Sequence, residues 1–453
     1  VASSEDAYSS ESYIEFTKND IDKLTKAVFS CTKDPYYKLA AEGLLACACL
    51  VRRSRPDTSI AVTNKAEYTA LASNSLDCAI SRLSRPDEDQ EVKDTSVMLL
   101  GDVLTHLGDT LTPAQQLNAL ALLIERMQSE STRLVATRSM AKVAKQSPSK
   151  VDLSGVAGDA ICEFSSFLRK NDRNLREASL KGFKALVERS DEKTLKDVDC
   201  TKFVEEAVTA FRGFVVNDAY LSTMCLNAFA AVCERCVKLK KAAKKASEIG
   251  EGGPMKDALQ FVSSSLIQRQ ALLALERYFE AAVIASKETF DVIFEELSSI
   301  SVPSPHDMET DDHQVVRIQQ QDIASARLEM KNRASCIATA TLAAGDVVAK
   351  KTIASLSKEI SKNDGKREVI SLWTLGEIGK RSKLDDGNNI AGILWEKLEE
   401  DCSDEVKTAV AFALGSCAFG NKDAFFPKIL DTIKATNGVK ESLKHSALRA
   451  LRE

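Results

Sequence analysis

Four histidines, twelve cysteines, two glycine-rich strings and a lysine-rich run are where this sequence could do chemistry. His306 and His313 flank Asp307, Glu309, Asp311 and Asp312, donor types that can hold a metal. A polar stretch with nothing to brace it supplies no fixed ligand geometry, so a solvated acidic loop is the expectation there. His106 and His445 lie too far apart in sequence to suggest a joint site. Cys233-x-x-Cys236 has the spacing of a zinc or redox pair, yet it has neither a second pair nor a nearby histidine. It falls with Cys225 inside an apolar helical pattern, which points to core thiols. Gly415–Lys422 nearly imitates a phosphate-binding loop, but Asn421 stands where lysine is required and the string closes a helix instead of opening one after a strand. Gly250–Gly253 reads as a flexible connection between helices. Arg235, Lys238, Lys240, Lys241, Lys244 and Lys245 could contact phosphates. Without interleaved aromatics the run reads as a solvated helix end, favoured by the helix dipole. No serine–histidine–acid arrangement is legible, so no enzyme, metal or cofactor is expected.

The elements that would position such residues are helices. In Asp404–Gly420, Val406, Ala409, Val410, Ala413, Leu414 and Cys417 recur at helical spacing, and Ala411, Gly415 and Ser416 keep the helix thin. The same design returns along the chain as the second helix of a repeating pair. Aligned on Leu414, the second helices have anchors at Leu45, Leu100, Lys142, Phe183, Phe229, Leu275, Leu342, Leu375 and Leu451. Most neighbouring anchors are about 40 residues apart, near the two-helix HEAT period, and the longer gaps hold inserts. Pro35, Pro56, Pro86, Pro113, Pro148, Pro254, Pro303, Pro305 and Pro427 all fall in a turn or at a helix start under this parsing. The Gln314–Leu342 stretch could be more than one helix. No segment alternates like a half-buried strand. The expected fold is all-α: a HEAT-repeat α-solenoid, a right-handed superhelix of about ten helix pairs, since one pair cannot bury its apolar stripe alone.

Along the chain this predicts a mobile lead-in at 1–19, HEAT repeats over 20–297 with a basic insert near 238–254, an acidic insert loop at 298–316, and HEAT repeats over 317–453. Val at position 1 and an unfinished helical pattern at Glu453 suggest a piece of a longer protein, with a further repeat after Leu443–Arg452. The net charge of −5 supplies no global attraction for nucleic acid or acidic membranes. No apolar run is long enough to span a bilayer. Cysteines scattered through apolar patterns suit a reducing compartment, so a cytoplasmic and nuclear location is expected.

Several strings resemble those of the cullin-associated, neddylation-dissociated family. They include Asp34-Pro35-Tyr36-Tyr37-Lys38, Asp89-Gln90-Glu91-Val92-Lys93, Leu107-Gly108-Asp109 and Thr132-Arg133-Leu134. Phe167-Leu168-Arg169-Lys170-Asn171, Leu375-Gly376-Glu377-Ile378-Gly379, Glu405-Val406-Lys407 and Ala413-Leu414-Gly415-Ser416 continue the series. The resemblance is dense over Asp20–Leu186 and Glu368–Leu451 and thin over Thr201–Gly365. It implies a middle-to-C-terminal portion of a non-enzymatic scaffold. Such a scaffold would bind the unmodified cullin–RING ligase core in competition with the substrate adaptor, and so regulate assembly and receptor exchange of SCF-type ubiquitin ligases. Lys93, Arg138, Arg176 and Lys407, polar residues of second helices near turns, are the expected partner-binding residues. The alternative reading is a nuclear-transport or phosphatase-scaffold adaptor for another protein cargo. Neither a membrane nor nucleic acid is an expected partner.

Overall fold

The computed structural model describes residues 18–59, 65–190, 199–264, 267, 269–299, 313–362, 365–384, 389–400, 402–435 and 440–453. Most of the predicted lead-in and of the acidic insert, with His306, Pro303 and Pro305, lie outside them. Among the described residues every regular element is a helix. The chain divides into two compact units, 1–203 and 204–453.

The first unit holds four antiparallel pairs. They are α1 (Lys18–Cys31) with α2 (Tyr37–Ser54), α3 (Lys65–Leu83) with α4 (Gln90–Leu107), α5 (Pro113–Gln128) with α6 (Arg133–Gln146), and α7 (Ala157–Leu168) with α8 (Arg173–Arg189). Local chemistry sets the helix starts. The Asp89 carboxylate accepts the Glu91 N–H to open α4, and Asp172 accepts from Asn174 and Leu175 to open α8. Thr112 and Gln115 form a reciprocal capping box with Pro113 in the first turn of α5. Each such cap contributes about 1 kcal/mol. The second helices α2, α4, α6 and α8 pack side by side in one row, and each is backed by its first helix. Phe164, Phe167 and Phe183 are fully buried between the rows, and Phe183 stacks on Phe203 at 3.6 Å. Burying each such side chain contributes roughly 2 kcal/mol.

The second unit repeats the plan. Its row of second helices comprises Ala219–Glu234, Arg269–Ala285, His313–Ala343, Gly365–Arg381, Asp404–Gly420 and Glu441–Arg452. His313–Ala343 is a single helix of 31 residues. The row is drawn tight by glycines. A Cβ on Gly376 would stand 2.8 Å from the Phe412 ring and 2.9 Å from Ala413 Cα, and one on Gly415 would collide with the Ala450 carbonyl. Trp373 and Trp395 are packing residues: both are buried, and Trp373 meets Phe412 at 4.3 Å between ring centres.

Three sequence expectations change. Pro427 is inside the helix Lys422–Lys434, not at its start. That helix opens at once behind Asn421, whose side chain is held by the Leu384 carbonyl at 2.9 Å, and buried Phe425 needs the early start. The proline is tolerated because it is on the exposed side. Pro35, by contrast, lies in a turn as expected: the Asp34 carboxylate accepts the Tyr36 N–H at 2.8 Å and α2 begins at Tyr37. The anchor positions Leu45 and Leu451 give way to buried Leu44 and Ala450, while Leu451 is exposed. The slip is a single position in each helix, and Leu100, Leu275, Leu375 and Leu414 are buried at the expected places. Within 238–254 a short helix, Lys240–Ala246, buries Ala242, Ala243 and Ala246, and Gly253 packs on the Glu248 backbone in a hydrogen-bonded turn.

Candidate partner-binding face

Within each unit the inner second helices have a neighbour on either side, and the stripe left over faces solvent. This stripe is the natural contact surface of such a fold, and its chemistry differs between the units.

In the first unit the stripe is organised by Asp102, whose side chain is only 4% exposed. It accepts from Arg52 of α2 at 3.2 Å and pairs with Lys142 of α6, so one carboxylate ties three successive second helices. Beneath it, Arg55 and His106 fasten α2 to α4 reciprocally. Arg55 donates to the His106 carbonyl at 3.1 Å, and His106 Nδ1 donates to the Arg55 carbonyl at 2.9 Å. Arg55 also reaches Asp109 at 2.6 Å, with both side chains buried. Burial pushes the His106 pKa below its ordinary value, aided by the Lys142 and Arg52 charges, against the opposing pull of the Arg55 carbonyl and Asp102. Two further arginines grip carbonyls. Arg82 donates to those of Thr32 and Asp34, and Arg189 to those of Ser147, Pro148 and Val151 at the end of α6. These cations complement the negative C-terminal ends of the helices they reach. Sequence reasoning missed them. The repeated Arg-x-Ser-Arg-Pro string at 52–56 and 82–86 was the available signal, though the buried member differs between its two copies.

In the second unit Lys397 of Ile390–Glu399 pairs with Glu368 with both side chains buried, while the ties between second helices lie nearer the surface. Arg277 forms a two-pronged pair with Glu234 at 2.7 and 2.8 Å, and Arg381 bridges Glu276, Glu377 and Ser335. Leu273, Glu280, Thr339 and Leu342 join Glu276, Arg277 and Arg381 around a cleft of about 400 Å³. Leu273 and Ile284 are more than half exposed on this face.

The four expected partner-binding residues do not form one cluster. Lys93 is half-buried and donates to the Pro86 carbonyl at 3.0 Å. Arg176 likewise turns back to the Leu168 carbonyl at 3.1 Å. Both brace the turn inside their own pair. Arg138 is exposed on α6, and Lys407 is half-buried in the first turn of Asp404–Gly420. In the lysine-rich run, Lys240, Lys241 and Lys244 are exposed, while Lys245 pairs with Glu248 at 2.7 Å. Cys233 is buried, and burial raises its pKa far above the ordinary thiol range. Cys47 and Cys417 are buried too, and their thiols are pushed up to about 12. Such thiols are protonated packing groups at neutral pH. Among the described residues no group of three or more His, Cys, Asp and Glu side chains is placed to hold a metal. Among them, too, no helix is long and apolar enough to cross a membrane.

Comparison with known proteins agrees with the sequence motifs. A family model described as CAND1-like, TPR repeats matches residues 13–100. Cullin-associated NEDD8-dissociated protein 1 of Arabidopsis thaliana is 31% identical over 94% of this chain and 33% of its own length. The protein of that name from Dictyostelium discoideum is 26% identical over 92% of this chain and 31% of its own length. The chain thus spans about a third of the length of these curated relatives. Among solved structures, a chain of the Kap95:Nup1 complex superposes with a TM-score of 0.52 at 12% identity, covering 95% of this chain and 51% of that one. That likeness shows the helical-repeat fold alone. The resemblance to the cullin-associated, NEDD8-dissociated family therefore holds along almost the whole chain.

Proposed function

We propose that this chain works as a non-enzymatic scaffold of the cullin-associated kind. It would bind the unmodified cullin–RING core through the solvent face of its second helices and oppose the substrate adaptor on the same cullin. The observation that carries this reading is the 31% identity to a cullin-associated protein over 94% of the chain. The architecture is compatible with it. A row of second helices offers a long surface on which many modest contacts add and a few anchors dominate. Exchange follows if scaffold and adaptor each weaken the other's hold on the cullin, a reciprocal coupling in free energy. Such a scaffold would act in the cytoplasm and the nucleus.

The test is gel filtration of the chain with an unmodified cullin–RING pair and with the same pair carrying the ubiquitin-like modifier. Co-elution with the unmodified pair alone is expected. Equal binding to both, or to neither, would overturn the reading.

A further inference from the structure

The α6 helix, Arg133–Gln146, carries Arg133, Arg138, Lys142 and Lys145 and no acidic residue. Arg138, Lys142 and Lys145 are spaced four and three apart, so they share one stripe about 10 Å long. Since α4 and α8 flank this helix and α5 backs it, the stripe is the part left to solvent: Arg138 and Lys145 are exposed and Lys142 is half-buried. Neighbouring α8 adds Lys181 and Lys184, whose acids Glu177 and Glu188 lie on α8 itself. Asp102 is shared by two cations, Arg52 and Lys142. On this face six cations (Arg52, Arg138, Lys142, Lys145, Lys181, Lys184) meet four acids (Asp94, Asp102, Glu177, Glu188), a local excess of two positive charges on a chain whose net charge is −5. Neither Arg138 nor Lys145 has an ion-pair partner among the described residues. Like charges three and four apart on a helix repel, each pair costing a few tenths of a kcal/mol. Within this stripe Lys142 is spent on Asp102, and Lys145 stands in the last turn, where the helix dipole favours a cation; Arg138 has no such role in the fold.

We propose that the α6–α8 face docks an acidic peptide segment of a partner protein, with Arg138 and Lys145 as its outer charge contacts. An extended segment rises about 3.3 Å per residue, so carboxylates three residues apart match the separation of these two cations. Met98 of α4, partly exposed beside them, offers an apolar contact. Nucleic acid fits this face less well. Neither helix exposes an aromatic side chain for base stacking, since Phe183 is buried. Glu177 and Glu188 interrupt the cations, and the chain's overall negative charge repels a long polyanion more than a short acidic segment.

The experiment is fluorescence anisotropy with the full chain, using a labelled twelve-residue polyglutamate peptide and a twelve-residue oligothymidylate as probes. The unsubstituted chain is expected to bind the peptide more tightly than the oligonucleotide, and to lose affinity as salt is raised. The double variant R138E/K145E, at exposed positions and checked for an unchanged melting curve, should bind the peptide about tenfold more weakly, the sum of two surface charge contacts. The milder R138Q/K145Q variant should lose about threefold. A control reversal at exposed Lys350 and Lys351 should leave affinity within twofold. Unchanged affinity in both α6 variants, or an equal loss in the control, would overturn the site. Tighter binding of the oligonucleotide, lost in R138E/K145E, would overturn its assignment to an acidic peptide.

Discussion

The two units solve the same problem, holding one helix pair against the next, with different chemistry. In the first unit the locks are buried cations. Arg55 reaches Asp109 and the His106 carbonyl, Arg82 reaches the carbonyls before α2, and Arg189 reaches those after α6. Glycine contacts occur in both units, but in the later repeats of the second unit they carry more of the load: Gly376, Gly379 and Gly415 let neighbouring helices approach almost backbone to backbone, beside a single buried pair among the described residues there, Lys397–Glu368. The solvent faces differ to match. The first unit's face is cationic around α6, whereas the second unit's face balances its charges and exposes Leu273, Ile284 and Leu328. A buried guanidinium satisfies carbonyls that would otherwise be unpaired, and a glycine contact replaces that need with close packing. Neither lock uses the outward stripe, so that stripe is free to carry different binding chemistry in each unit.

The largest expected effect that would sharpen this contrast comes from Arg55→Ala. It leaves the buried Asp109 carboxylate and the His106 carbonyl without their donor, and breaking such a buried pair costs about 4 kcal/mol. Hydrogen exchange should accelerate over residues 44–110 while the second unit keeps its protection; a loss spread evenly over both units would break the comparison. Gly415→Leu comes next, with an expected cost of about 3 kcal/mol from overpacking against Ala450. Its signature is faster exchange confined to Asp404–Gly420 and Glu441–Arg452, and wild-type protection there would show that the glycine contact is dispensable.

The smallest effect is a pH dependence confined to the first unit. His106 is held neutral, with a folded-state pKa below its unfolded value of 6.5. Its contribution is therefore fully present above pH 6.5 and is lost as pH falls through the lower folded value. The charges around it are Arg52, Lys142 and Asp102. Urea melts between pH 7.5 and 5 should show first-unit stability falling with acid, and His106→Gln should flatten that slope. A slope unchanged by the substitution would assign the acid sensitivity elsewhere.

Much of the fold was legible because helix pairs write their pattern locally. The stripe in Asp404–Gly420, the Asp89 and Asp172 caps, and Pro113 at a helix start are all decided within a few residues. The candidate face was legible only in part. Arg138 stands exposed where second-helix polar residues were expected, but Lys93 and Arg176 fold back onto turn carbonyls, which composition and spacing do not disclose. Pro427 misled because a buried phenylalanine two residues earlier outweighed the usual punctuation of a proline.

The sequence alone determined that this is an all-helical array, where its pairs fall, and which family it resembles, since periodicity, caps and motif strings are properties of neighbouring residues. Only the tertiary structure decided which cations are spent as locks and which remain outward. Arg55, just past the end of α2, and Arg138, in the middle of α6, are the same residue type, and what separates them is whether groups of another repeat lie within reach.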